Sequence, residues 1–343
     1  MFRAFWPFTL LFLLSFFIGC SQEHSDKENV KSKKSSKPFT LTPPKDAAHV
    51  FVLHRFDDEK HKSTSISTKQ LKELFEYLKT HHFHVASLDE VITKLKNNEA
   101  LPKDWVLFSI DDSYKSFYEN GFPLFKAYGY PFTIYIYIEA TLRHYNDFMS
   151  WDQLKEISKF GELGLHSFGH KHMTKMNEAQ MHEDTQKGLK IFEEQLGFKP
   201  RSYAYPYGEF DEKLQKVITS YGFDLVFNQN VGAISHKSSI LDLDRIALSG
   251  NFNVKPKLKI KYLPAQWNQI NLDRENMILK SIDVDIDAQY KSVEVYISGD
   301  KWHRLKTKKG KITQIFDHQL KKGRTRIIIK TPDNRWSSKI IIL

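Results

Sequence analysis

From residue 48 to about residue 250 the chain alternates between short apolar runs and longer segments whose apolar residues recur at helical spacing. This alternation restricts the fold more than any other feature. Strands that take turns with helices lie parallel in βα units, which build an open sheet or a barrel. "HVFVLHRF", "FHVAS", "WVLFSIDD", "PFTIYIYI", "ELGLH", "SYAYPYG" and "LVFNQ" read as strands. Between them, "STKQLKELFEYLKTHH", "LDEVITKLKNN", "SFYENGFPLFKAYG", "SWDQLKEISKFG", "NEAQMHEDTQKGLKIFEEQLG" and "DEKLQKVITSYG" read as helices. Ser67 with Gln70, Ser87 with Glu90 and Ser150 with Gln153 are capping-box pairs at three of the helix starts. About seven such units suit a distorted (β/α)7-type barrel, and chemistry on such a barrel gathers at the C-terminal ends of the strands.

One strand ends in a way that asks for an explanation. Val106, Leu107, Phe108 and Ile110 lead straight into Asp111 and Asp112. Adjacent carboxylates repel, so one of them has a raised pKa unless a cation sits between them. A second strand, "ELGL", runs into "HSFGHKHMT". His166 and His170 stand four residues apart, a spacing that puts both imidazoles on one side of a helical turn. Two histidines and a carboxylate from another strand end make an N,N,O set that leaves a position open for water, as catalytic metals require. Asp112 then ligates the metal, and Asp111 remains free as general base for the water the metal activates. Alone, a His-x-x-x-His pair is as readily a polar surface turn, and His172 is a bystander.

The two ends of the chain differ from this middle. "MFRAFWPFTLLFLLSFFIGCSQ" is a signal-peptide pattern: Arg3, an apolar run to Ile18, then Gly19 and Cys20. The run is short for a membrane span. Cys20 is the only cysteine, so no intramolecular disulfide forms. Its position resembles a bacterial lipobox, in which the cysteine is lipidated. The alternative is an ordinary cleaved signal; both export the protein. Residues 1–19 are thus read as a lipoprotein signal and 20–47, Ser/Lys-rich and ending in Pro-Pro, as a flexible tether. The formal charge of +10 fits residence near an anionic surface. Residues 251–343 are β-rich with polar turns and no evident helix, which reads as a small antiparallel sandwich. Trp267, Trp302 and Trp336 there are either core residues or a sugar-stacking platform, with core the simpler use.

"SIDDSY", "HSFGH" and "YAYPYG", in this order, resemble the motifs of the polysaccharide deacetylases of the NodB-homology class, carbohydrate esterase family 4. The resemblance spans residues 48–250 and is nearest to the branch acting on poly-N-acetylglucosamine. It implies a distorted barrel of about seven strands, agreeing with the count above. It implies Asp111 as catalytic base, and Asp112, His166 and His170 as ligands of a divalent metal, zinc first with cobalt or nickel as alternatives. Tyr207 matches the residue whose backbone N–H helps stabilise an oxyanion. Tyr205, Pro206 and Gly208 belong to the same substrate-binding loop. The implied reaction is hydrolysis of an acetamide to acetate and a free amine.

This chain also departs from the family pattern. Ala204 stands where many members carry an Arg that orients the base, and Arg201 is displaced. Arg245 in "LDLDRIAL" is the expected substitute. No late Leu-x-x-His follows Tyr207 to serve as general acid; His236 is a poor candidate, and His54, ending the first strand, is the one to test. The expected partners are a glycan and, through the lipid anchor, a membrane facing the periplasm or the cell surface, with no nucleic acid. Deacetylation of peptidoglycan or of O-acetyl glycans is the alternative within the enzyme class. A surface lipoprotein that binds glycan without turnover is the alternative outside it.

Overall fold

The computed structural model describes residues 41–343. Seven parallel strands carry the first part: β1 (His49–Leu53), β2 (Trp105–Asp111), β3 (Thr133–Ile136), β4 (Glu162–Leu165), β5 (Ser202–Ala204), β6 (Leu225–Phe227) and β7 (Ile246–Ala247). They lie in the order β7-β1-β2-β3-β4-β5-β6, with a short strand, His84–Val85, beside β2. The sheet curls on itself through one segment. Leu243 bridges to Phe227 at the end of β6, while Ile246 and Ala247 pair with β1. This is a distorted barrel, and its strand ends all face one way.

Helices cover the outside, and their starts follow from local chemistry. The capping boxes at Ser67, Ser87 and Ser150 form, and Asn177 with Gln180 makes a fourth ahead of the long helix Glu178–Leu196. Each such cap is worth about 1 kcal/mol to its helix. Helix Thr68–Thr80 buries Leu71, Leu74, Phe75 and Leu78. Phe75 meets Phe108 of β2 at 5.4 Å between ring centroids and Phe125 at 4.8 Å. Burying one such ring contributes on the order of 2–3 kcal/mol, so this contact fixes the helix over β2.

Two boundaries move relative to the sequence pattern. Pro44, Asp46 and Ala47, read as tether, are buried. The Asp46 carboxylate accepts from the backbone N–H of Leu101 and of His236, and pairs with the His236 ring at 2.8 Å. "SYAYPYG" is strand only through Ala204; Pro206–Gly208 is a tight turn, because Tyr207 and Gly208 adopt positive φ. Cys20 and the leader fall outside the described residues. Among those described, no helix is long and apolar enough to cross a membrane.

The C-terminal part holds two sheets. Gln266–Asp273, Ile278–Asp285 and Lys311–Gln319 form one; Lys261–Tyr262, Ser292–Ile297, Trp302–Lys306, Arg324–Lys330 and Arg335–Ile342 form the other. Leu279, Ile282 and Val284 from the first pack with Val293, Val295, Ile327 and Ile329 from the second, giving a sandwich core. One short helix, Val254–Lys257, precedes it where none was expected. Trp267 and Trp336 are half-buried and donate their indole N–H groups to Ser337 and Asn334, whereas Trp302 is 40% exposed. All described residues belong to one compact unit, and the sandwich is bonded to the barrel. His49 of β1 contacts the Ile260 carbonyl at 2.9 Å, Val231 N–H donates to Ser338 Oγ, and Ile340 N–H donates to Asn230 Oδ1.

Candidate active site and metal centre

The strand ends deliver the polar residues to one place. Asp111 is the last residue of β2 and is fully buried. Arg245, itself 1% exposed, donates from Nη1 to Asp111 Oδ1 at 2.7 Å and from Nη2 to Oδ2 at 2.8 Å. Gln229, just beyond β6, donates from Nε2 to Oδ2 at 3.2 Å. Burial alone would push the Asp111 carboxyl up; the Arg245 guanidinium outweighs it and holds the group below the usual carboxylate range. His54 Nε2 lies 3.9 Å from Asp111 Oδ2, and burial lowers its pKa, which keeps the ring neutral.

Asp112 turns away from Asp111 because its backbone adopts φ 72°. Its Oδ1 stands 3.0 Å from His170 Nε2 and 3.3 Å from His166 Nε2. The two histidines reach it by a route other than the helical turn that their spacing suggested. Residues 166–170 form an irregular loop, with Ser167 at φ 64° and His170 at φ 44°. Asp184 of the long helix fixes this loop, accepting from the backbone N–H of Phe168 and of Gly169, each at 2.9 Å. Five of the thirteen non-glycine residues with positive φ among those described belong to these turns: Asp112, Ser113, Ser167, His170 and Tyr207. Such conformations cost about 1–3 kcal/mol each, and they cluster where function requires them.

The donor set fits a cation. His166 Nδ1 is 2.7 Å from the Ala204 carbonyl, which only accepts, so Nδ1 carries the proton and Nε2 presents a lone pair. That lone pair faces Asp112 Oδ1, a buried oxygen with no hydrogen-bond partner. Asp112, His166 and His170 each offer one ligand atom, and all three atoms lie within 4.8 Å of one another. Two imidazole nitrogens and one carboxylate oxygen that converge in this way are a set that a divalent metal of the zinc type takes.

Tyr207 closes one side. Its hydroxyl donates to the His170 carbonyl at 3.3 Å, and its ring stacks on His172 at 4.2 Å. Gly208 is needed for close approach: at φ 68°, an added Cβ would lie 2.3 Å from Gln229 Cβ and 2.5 Å from its backbone N. Pro206 is buried beneath the turn. Tyr205 is fully enclosed and stacks on Phe210 at 5.2 Å, so its ring packs under the loop and is not available to touch a substrate. Arg201 is occupied on the surface by Asp89 and Asp224, and His236 by Asp46. Gln229, Asp184 and Arg324, whose Nη1 donates to the Tyr207 carbonyl at 2.8 Å, had no motif to mark them.

Residues 98–226 match the family model described as polysaccharide deacetylase. Among curated proteins, the chain is similar to the poly-β-1,6-N-acetyl-D-glucosamine N-deacetylases of Staphylococcus aureus and Staphylococcus epidermidis. The first is 26% identical over 212 residues, 58% of this chain and 73% of that protein. The second is 26% identical over 250 residues, 67% of this chain and 85% of that protein. Among solved structures, IcaB from Ammonifex degensii superposes with a TM-score of 0.54 at 26% identity, covering 60% of this chain and 92% of that one. The Streptococcus pyogenes deacetylase PplD, in complex with acetate, shares the fold with a TM-score of 0.56 at 21% identity, covering 61% and 95%.

Proposed function

We propose that this chain, whose residues 98–226 match the polysaccharide deacetylase family model, removes N-acetyl groups from an N-acetylglucosamine-containing polysaccharide by metal-assisted hydrolysis. One observation carries the reading: a buried carboxylate clamped by Arg245 and Gln229 stands beside a separate carboxylate–histidine–histidine cluster. Pure binding needs no such free base. The named relatives act on poly-β-1,6-N-acetylglucosamine, which supports a glycan of that class as substrate.

Each residue then has a task. Asp112, His166 and His170 would hold a divalent cation, zinc by preference, which when bound makes water acidic and polarises the amide carbonyl. Asp111, ionised and aligned by Arg245, takes the proton from the attacking water. The water oxygen bonds to the acetyl carbon, the C–N bond breaks, and acetate leaves the amine. His54, neutral and 3.9 Å from Asp111, is placed to accept that proton and return it to the departing nitrogen. The backbone N–H of Tyr207, in its positive-φ turn beside His170, supports the oxyanion. We place the catalytic part at residues 48–250 and the sandwich at 251–343, with export and anchoring through Cys20 in the cell envelope.

Acetate release from poly-β-1,6-N-acetylglucosamine oligomers, chitin oligomers and peptidoglycan fragments tests the reading, with zinc, cobalt or nickel added. Metal-dependent acetate from the first, lost in Asp112→Asn, supports it. Acetate only from peptidoglycan fragments would change the substrate, and none from any of them would overturn the N-deacetylase assignment and turn attention to the O-acetyl and binding readings. Mass spectrometry of the mature N-terminus tests the anchor, with an acylated Cys20 as the expected result.

A further inference from the structure

We infer that the C-terminal sandwich is part of the catalytic apparatus, with Arg324 as a positioning residue that acts on Asp111 through Gln229. The inference rests on the deacetylase reading and adds a task for the β-rich part. The strand Arg324–Lys330 begins at the mouth of the barrel. Arg324 Nη1 donates to the Tyr207 carbonyl at 2.8 Å and to Gln229 Oε1 at 3.2 Å. Gln229 spends its other end on Asp111, donating from Nε2 to Oδ2 at 3.2 Å. An amide has one acceptor end and one donor end. With Arg324 on the oxygen, the nitrogen must face Asp111, so the guanidinium selects the only flip of Gln229 that gives the base a hydrogen bond.

The rest of the loop is held the same way. Its side of the barrel runs Asn228-Gln229-Asn230-Val231. The Asn228 carbonyl accepts from Arg245 Nε at 2.7 Å, and the Asn230 carbonyl accepts from Arg245 N–H at 3.0 Å. On its other side the sandwich supplies Ser338 Oγ to Val231 N–H at 2.6 Å and the Ile340 N–H to Asn230 Oδ1 at 3.0 Å. This loop, which itself carries Gln229, therefore lies between Arg245 and a sheet that the barrel does not contain. Arg324 also ties the Tyr207–Gly208 peptide, in its costly positive-φ turn, to the same sheet. Both bonds leave one nitrogen, Nη1, so a lysine ammonium can stand in for it without the guanidinium's fixed plane, whereas an alanine serves neither acceptor.

The test compares Arg324→Ala, Arg324→Lys, Gln229→Ala and the double variant Arg324→Ala/Gln229→Ala in the full, zinc-loaded chain. Lys330→Ala, on the same strand but paired with Glu294, is the control. In Arg324→Ala, kcat for acetate release is expected to fall about tenfold with KM nearly unchanged, and lysine to restore part of it. The double variant should be slower than Gln229→Ala by clearly less than the factor Arg324→Ala costs alone, since the bond through Gln229 is shared while the one to the Tyr207 carbonyl is not. Amide hydrogen exchange gives a readout independent of turnover. Peptides covering 205–210 and 228–231 should exchange several-fold faster in Arg324→Ala and not in Lys330→Ala, while strands β1 to β3 keep their protection.

A rise in KM with kcat intact would overturn the inference, because Arg324 would then be binding substrate. Effects of Arg324→Ala and Gln229→Ala that multiply would overturn it too, as would unchanged exchange in both loops. If the wild-type chain releases no acetate, the deacetylase reading fails by itself, and exchange alone decides whether Arg324 holds the loops.

Discussion

Arg245 and Asp111 show how single residues set the chemistry. Their paired hydrogen bonds are fully buried, so removing either partner leaves a charge without compensation. Arg245→Lys keeps the charge and loses the fork; kcat should fall by about tenfold or more, measured as acetate release. The sign of the pH effect follows from the same pair. The guanidinium holds the Asp111 carboxyl down, so weakening it raises that pKa, and the acidic limb of kcat/KM should move to higher pH in Arg245→Lys. Asp112→Asn should bind zinc at least about a hundredfold more weakly, read by competition with a chelating dye. The cluster of Asp112, His166 and His170 was legible in the sequence because carboxylates and histidines ended apolar runs. Arg245 was legible only as a missing guanidinium looked for downstream. Gln229 was not, because an amide after a strand is common, and only its two bonds distinguish it.

At the scale of elements, helices and strands were readable from periodicity and caps, while the turns that carry the site were not. The His166–His170 spacing fits a helix, yet the loop escapes that geometry through two positive-φ residues and the Asp184 carboxylate. Nothing local to "HSFGH" signals a partner that arrives from a helix in the next unit. Asp184→Ala should therefore weaken zinc binding by about tenfold while leaving the helix content by circular dichroism unchanged. Gly208→Ala is expected to be harsher. Its Cβ would meet backbone and side chain of Gln229 at 2.5 and 2.3 Å, so the turn or the Asn228–Val231 loop must move. A loss of about 3 kcal/mol or more in urea denaturation, together with lost acetate release, is the expected outcome.

On the scale of the whole molecule, the barrel was legible as a class and its dependence on the sandwich was not, since contacts across a hundred residues leave no periodic trace. One such junction is titratable. Burial and the neighbouring Asp242 push Asp244 up to about 8, and burial pushes Asp242 to about 6, with Lys339 of the last strand opposing both. Asn228 donates to each carboxylate. A carboxyl with a raised folded-state pKa stabilises the fold fully below its unfolded pKa, and that contribution is lost as pH rises through the folded value. Unfolding free energy should thus fall from about pH 4 to about pH 8, with the part above pH 6 due to Asp244, and Asp244→Asn should flatten that upper part of the slope.

The position of Arg324 so late in the sequence also sets a timetable. Chains grow from the N-terminus, and domains fold as units when enough of them has emerged. Asp112, His166 and His170 are all in place long before the strand Arg324–Lys330 has been made. Until that strand is made, Gln229 lacks the bond from Arg324 that fixes its amide, and either face can turn toward Asp111. On the proposed function, the candidate metal cluster and the bond that orients the base's neighbour would thus be completed at different moments of synthesis.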